Sequence, residues 1–343
     1  MSTLRGSLPD MPEEKPGDLE ARIFAVGNVP YCAFYLRDTN SAFLRGIDTN
    51  YFRYLAEVHA KNLDSDDRQR AAIALRTSYY HGLETLFMLI FATLQAPNCV
   101  VGWLLKCRPA QLRILVEETT QGKMRSISSK WTVDGASWCK VSGLINGKLL
   151  EGRDDSESMQ GAFAQLWERF AGDFTSDFMV DEYNSFKHGF RTQVSTGPSL
   201  SITPPKDSPG QPFTLASDFG STFFVARKLP ATEPPGLDHV FSLAYCHVNI
   251  QPTAMVSALR MISLCINNIV AFLRLVNGHP PEEIQIILPD KKEAFGLLPE
   301  TPGALKYICF NPTVTIRPDA LHEFTKTRII ERLTTPTRKA NLD

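Results

Sequence analysis

In the segment DEYNSFKHGFR, residues 181–191, an amide, two permanent cations and an imidazole fall close together: Asn184, Lys187, His188 and Arg191. An imidazole can accept or give a proton near neutral pH, and Lys or Arg can hold an anion beside it. That set suits acid–base work on a substrate that carries or develops negative charge. The same residues also fit the solvated side of an ordinary helix, with Lys187 and Arg191 forming an i,i+4 positive patch.

The element that carries them reads as a helix with two faces. At 100° per residue, Met179, Tyr183, Phe186 and Phe190 share one stripe, and Asp181, Asn184, His188 and Arg191 lie nearly opposite. Gly189 marks a candidate helix end.

The segment YNSFKHG resembles the active-site segment of the HEPN superfamily, helical-bundle proteins many of which are metal-independent RNA endonucleases. In that family an Arg, usually followed by a polar residue, precedes a His by four to six positions. Asn184 matches the polar position and His188 the histidine, while Tyr183 stands where the Arg is expected. The resemblance implies a bundle of about four helices and association with RNA or nucleotide. It also implies attack of a ribose 2′-hydroxyl with His188 as proton acceptor, and no metal or cofactor. Attack at the phosphate needs a cation as well, which a neutral phenol does not supply. The expected catalytic set is therefore His188, Asn184 and a replacement Arg, with Tyr183, Lys187 and Arg191 against the substrate. The departure at Tyr183 leaves binding without cleavage as an equal reading.

Arg76, in RTSYYH (76–81), is the candidate replacement. It shares a heptad stripe with Ile73, Tyr80 and Phe87, so it needs a partner if buried. Two readings stay open for it: a side chain snorkelling near a helix start beside Glu84 or another carboxylate, or a guanidinium that crosses to the 181–191 helix. A loose search for Arg before His also returns Arg53/His59, Arg274/His279 and Arg317/His322, so that pattern alone discriminates nothing.

Other chemistry is thinly represented. His81 and Glu84 have i,i+3 spacing, but bundle metal sites use Glu-x-x-His on two helices, and neither the order nor the repeat is present; His247 would be the natural third ligand. KMRSISSK (123–130) is basic and suits a solvated loop or a phosphate contact. The sequence contains no GxxxxGK[ST], no GxSxG and no HExxH, which argues against P-loop, serine-hydrolase and zincin chemistry.

The elements that must position these residues are mainly helical. Hydrophobic periodicity predicts helices over 49–63, 66–95, 156–174 and 255–276, the last packing on the 66–95 helix. Pro109 interrupts or begins a helix in 99–118. Asp134-Gly135 between β-favouring flanks predicts a hairpin near 130–141.

The expected organisation is a flexible tail over 1–22 and a first part of the bundle over 23–192. A Pro/Gly/Ser-rich insertion with two to four strands follows over 193–250, then a returning bundle helix over 251–278. The rest, 279–343, is a C-terminal extension with short strands, one helix and a polar tail. The fold class is mainly α, an HEPN-like bundle with small β insertions, α+β overall.

With 343 residues, 43% of them hydrophobic and 21% charged, the chain has ordinary globular proportions. Thirty-six Lys and Arg against 37 Asp and Glu leave no global field for polyanions, so any such site must be local. Seven Cys with no CxxC predict reduced thiols and a cytoplasmic setting. The apolar runs 86–94 and 261–273 are shorter than a membrane span, which predicts core helices and no membrane partner. The rival class is a helical interaction protein, a homodimeric scaffold, with the 181–191 polar face against a partner chain.

Overall fold

The computed structural model describes residues 19–36, 38–188, 191–195, 200–202, 213–215, 219–228 and 241–289. They fall into two compact units. Unit 1 lies within residues 1–55, 79–176 and 257–298, and unit 2 within 56–78, 177–256 and 299–343. The units therefore do not follow the boundaries expected at 192/193 and 250/251.

Unit 1 begins with a hairpin, β1 (Leu19–Val26) and β2 (Val29–Leu36), paired from Leu19↔Leu36 to Val26↔Val29. The expected tail over 1–22 thus runs four residues into a strand. Its turn is the pair Gly27-Asn28, with Gly27 at φ 59°, a conformation an L side chain resists. Phe24 and Val26 are buried, and Gln95 Oε1 accepts hydrogen bonds from both Gly27 N and Trp103 Nε1. That bifurcated acceptor ties the hairpin to the helices below.

The helices of the first half are α1 (Thr39–Gly46), α2 (Tyr51–Ala60), α3 (Arg68–Gln95), α4 (Val100–Lys106) and α5 (Pro109–Thr120). Pro109 opens α5, where a missing backbone N–H costs nothing. A second hairpin follows, β3 (Met124–Ile127) and β4 (Thr132–Ala136).

Its turn is not Asp-Gly. Ser128 makes it, with Oγ accepting from Lys130 N and Trp131 N, while Asp134 and Gly135 sit inside β4 where the register shifts. Two residues there face one on β3, a bulge that Gly135 permits at φ 58°. The segment expected to complete the hairpin instead starts α6 (Trp138–Leu149), whose N-cap Ser137 accepts from Lys140 N.

The remaining helices are α7 (Ser156–Thr175), α8 (Asp177–Lys187) and α9 (Pro252–Val276). Between α8 and α9 lie β5 (Thr192–Ser195), β6 (Leu200–Ile202), β7 (Phe213–Leu215), β8 (Gly220–Lys228) and β9 (Phe241–Asn249). The sheet order is β5-β8-β9, with β6-β7 as a separate pair. All pairings are antiparallel. Residues 281–283 form a 3-10 turn where a strand was expected, and the strand and helix expected beyond 300 lie outside the described residues.

In unit 1, α9 packs on α3 as its periodicity requires: a Cβ built at Gly82 would meet Ile262 at 3.2 Å. Trp167 Nε1 also reaches Cys265 Sγ at 3.4 Å. By length and composition α9 could cross a membrane, contrary to the estimate from its shorter apolar run. With 72% of its most apolar window buried, it is a core helix of this fold.

Cys32, Cys99, Cys107, Cys139, Cys246 and Cys265 are free thiols. Burial pushes Cys265 up to about 12, and burial with the Glu84 carboxylate does the same for Cys107. Iodoacetamide at pH 8 should therefore label exposed Cys32 and Cys139 in the native protein and spare these two until it unfolds, read by peptide mass spectrometry. Both thiols ionise more easily once unfolded. Their contribution to stability is complete below the ordinary thiol range and is lost as pH rises towards 12.

Candidate functional site

Unit 2 has a small core of Ala72 and Ile73 from α3, Phe223 and Val225 from β8, and Cys246, Val248 and Ile250. Phe178 and Phe186 of α8 pack against it, and the Phe178 ring meets Phe223 edge-on at 5.3 Å. These contacts set the rotation of α8 and hence the direction of every candidate residue on it.

The buried face of α8 follows the apolar stripe read from the helical wheel only in part: Met179 is buried and Phe186 packs on the core, but polar residues are buried beside them. Met179, Glu182 and Ser185 are buried, while Tyr183 is only half-buried. A carboxylate survives there because it is fully engaged. Arg76 Nε donates to Glu182 Oε2 at 2.8 Å, Arg76 Nη2 lies 2.8 Å from the same oxygen, and Ser221 Oγ donates to Glu182 Oε1 at 3.1 Å. Ser185 Oγ donates to Asp181 O at 2.7 Å. The partner of buried Arg76 is thus a carboxylate, and it is Glu182, not Glu84. Arg76 does reach the 181–191 helix, but on its inner face.

The polar end of α8 looks outward. Lys187, His188 and Arg191 are exposed, and Asn184 is half-buried. Lys187 Nζ sits 5.6 Å from the Tyr183 ring centroid, a cation–π distance that gives this tyrosine a role its neutral phenol lacked as an Arg substitute. His188 N donates to Asn184 O at 2.9 Å, closing the last turn. Arg191 N donates to Ser185 O at 2.8 Å, and Arg191 Nη2 approaches Asn184 O at 3.5 Å. These bonds set Arg191 against the turn that carries Asn184. Among the described residues, none of Lys187, His188 and Arg191 forms an ion pair with a carboxylate.

Lys187 is thus set against Tyr183 and Arg191 against the Asn184 carbonyl, with exposed His188 at the same helix end, while Arg76 is committed to Glu182. Such a surface can hold anionic oxygens from several directions, with two permanent charges and an imidazole. Sequence reasoning missed Glu182 and Ser221; the signal was a Glu among apolar neighbours on an amphipathic helix. Elsewhere, Arg125 of the 123–130 run pairs with exposed Asp134 at 2.9 Å, which offsets its charge. His81 and Glu84 are joined by no third metal-ligating residue among the described ones, and the His247 side chain lies outside them.

No protein-family model, no curated protein and no solved structure matches this chain.

Proposed function

We propose that this is an HEPN-like helical protein that associates with RNA through the surface of Tyr183, Asn184, Lys187, His188 and Arg191. The observation that carries the reading is the group of Lys187, His188 and Arg191, exposed together and without carboxylate partners among the described residues. In a chain with balanced charge, a local positive group is what a phosphate backbone can find. If the site cleaves, its cation is Arg191 or Lys187, because the Arg76 guanidinium is held by Glu182.

The test is fluorescence anisotropy with a labelled single-stranded RNA at low salt in EDTA, followed by a denaturing gel of the same mixture. Lys187→Glu with Arg191→Glu should weaken binding by about tenfold or more and make the salt dependence shallower by about 1.4 in log–log slope. Cleavage that disappears in both His188→Ala and Arg191→Ala, with the fold intact, would make the surface catalytic. Absence of binding by the wild-type protein at low salt ends the RNA reading.

A second reading, a dimeric interaction protein, has its own support in unit 1. The outward face of the β1–β2 hairpin pairs Ala21 with Phe34, Ile23 with Cys32 and Ala25 with Pro30, so it is apolar throughout. Ile23 and Phe34 are 74% and 70% exposed. A doubled mass in light scattering, without RNA binding, would favour this reading.

A further inference from the structure

A hollow in unit 1, independent of the α8 surface, has a volume of about 350 Å³. Its walls are Phe43, Ile47, Met88, Leu89 and Leu104, and its polar groups come from one helical turn of α3, residues His81, Glu84 and Thr85. The Thr85 hydroxyl already donates to His81 O at 2.9 Å, and the His81 ring lies edge-on to Phe52 at 5.3 Å. Glu84 is different. It is half-buried, and among the described residues nothing hydrogen-bonds or pairs with its carboxylate.

We propose that this hollow binds a small organic cation, with an apolar body against Phe43, Ile47, Met88, Leu89 and Leu104 and a protonated amine on the Glu84 carboxylate. Volume decides for a small molecule, since pockets for such ligands start near 300 Å³ and are lined mainly by apolar side chains with a few placed polar groups. Charge decides for a cation. Among the described lining residues Glu84 is the one with a formal charge when His81 is neutral, and a ligand carboxylate would face it unfavourably. Met88 suits such a site because a thioether on a flexible stem adapts to the body it meets. The field of Glu84 is felt in the neighbouring interior, where it adds to burial in holding the Cys107 thiol up at about 12.

The test uses the full chain and three probes of matched shape: 4-phenylbutylamine, 4-phenylbutanol and 4-phenylbutyrate. Affinities come from calorimetry, and the site is identified from the methyl resonance of Met88 in protein labelled at methionine methyls. The ammonium form should bind about tenfold tighter than the alcohol, and the carboxylate most weakly, with the Met88 methyl shifting as the amine saturates. Glu84→Gln should bring the amine down to the level of the alcohol and leave the alcohol unchanged.

Equal binding of amine and alcohol to the wild type overturns the proposal, as does a Met88 methyl that does not respond. Preference for the amine that survives Glu84→Gln overturns it too. The ranking of the three probes on the wild type needs no variant, so it decides the matter even if Glu84→Gln does not fold.

Discussion

Arg76→Ala is expected to destabilise unit 2 by about 3–5 kcal/mol, because it leaves the Glu182 carboxylate buried without its cation. Both side chains are within 4% of full burial, and the remaining partner of Glu182 is the Ser221 hydroxyl. One neutral hydrogen bond, worth about 1 kcal/mol net, cannot offset the desolvation of a charge. Glu182→Ala should cost a similar amount for the mirrored reason. Arg76→Met with Glu182→Leu should recover most of the loss, since a packed apolar pair carries no desolvation penalty.

All four tryptophans belong to unit 1, at positions 103, 131, 138 and 167. Hydrogen exchange of the β8 and β9 amides is therefore the measurement to use. A loss below about 1 kcal/mol in either single variant would mean that the pair contributes little and that Arg76 is free for another role. This result also bears on function. If the wild type binds or cleaves RNA as proposed, loss of that property in Arg76→Ala with faster exchange in β8 would mean an unfolded site, whereas loss with unchanged exchange would restore Arg76 as a candidate phosphate ligand.

Phe223→Ala should cost about 3–5 kcal/mol as well, through lost apolar burial and the cavity left behind. Phe223 is fully buried at the centre of the small core and touches the Phe178 ring. A core of so few residues has little with which to collapse around a missing ring. Because Phe178 and Phe186 hold α8 to this core, the change should also weaken the proposed RNA binding although residue 223 is not part of the basic surface. Phe223→Leu, which keeps most of the volume, should retain binding. If Phe223→Ala leaves both stability and the proposed RNA binding intact, the orientation of α8 does not depend on this core.

The sequence made some parts of the molecule legible and hid others, for reasons visible in particular residues. The helices α2, α3, α7 and α9 were readable because period 3.6 is a local property that ten or more residues repeat. The hairpin β1–β2 was not predicted, although Gly27-Asn28 between two alternating runs is a turn signal present in the sequence. Asp134-Gly135 misled in the opposite sense. The pair offers a positive φ that serves a hairpin turn or a bulge equally, and only the pairing of β4 with β3 selects the bulge.

The candidate residues divide in the same way. Residue type and spacing along one helix were enough to place Asn184 and Lys187 within one turn, because neighbours at i,i+3 and i,i+4 share a helix face whatever the rest of the chain does, whereas Arg191 lies beyond the helix end and reaches this turn through its hydrogen bonds to Ser185 O and Asn184 O. Which way that face points was decided by Phe178 and Phe186 against β8, and the fate of Arg76 by a carboxylate 106 positions away. Local periodicity carries no information at that separation. A buried guanidinium takes whichever carboxylate the tertiary fold brings within reach, and here the fold brings Glu182.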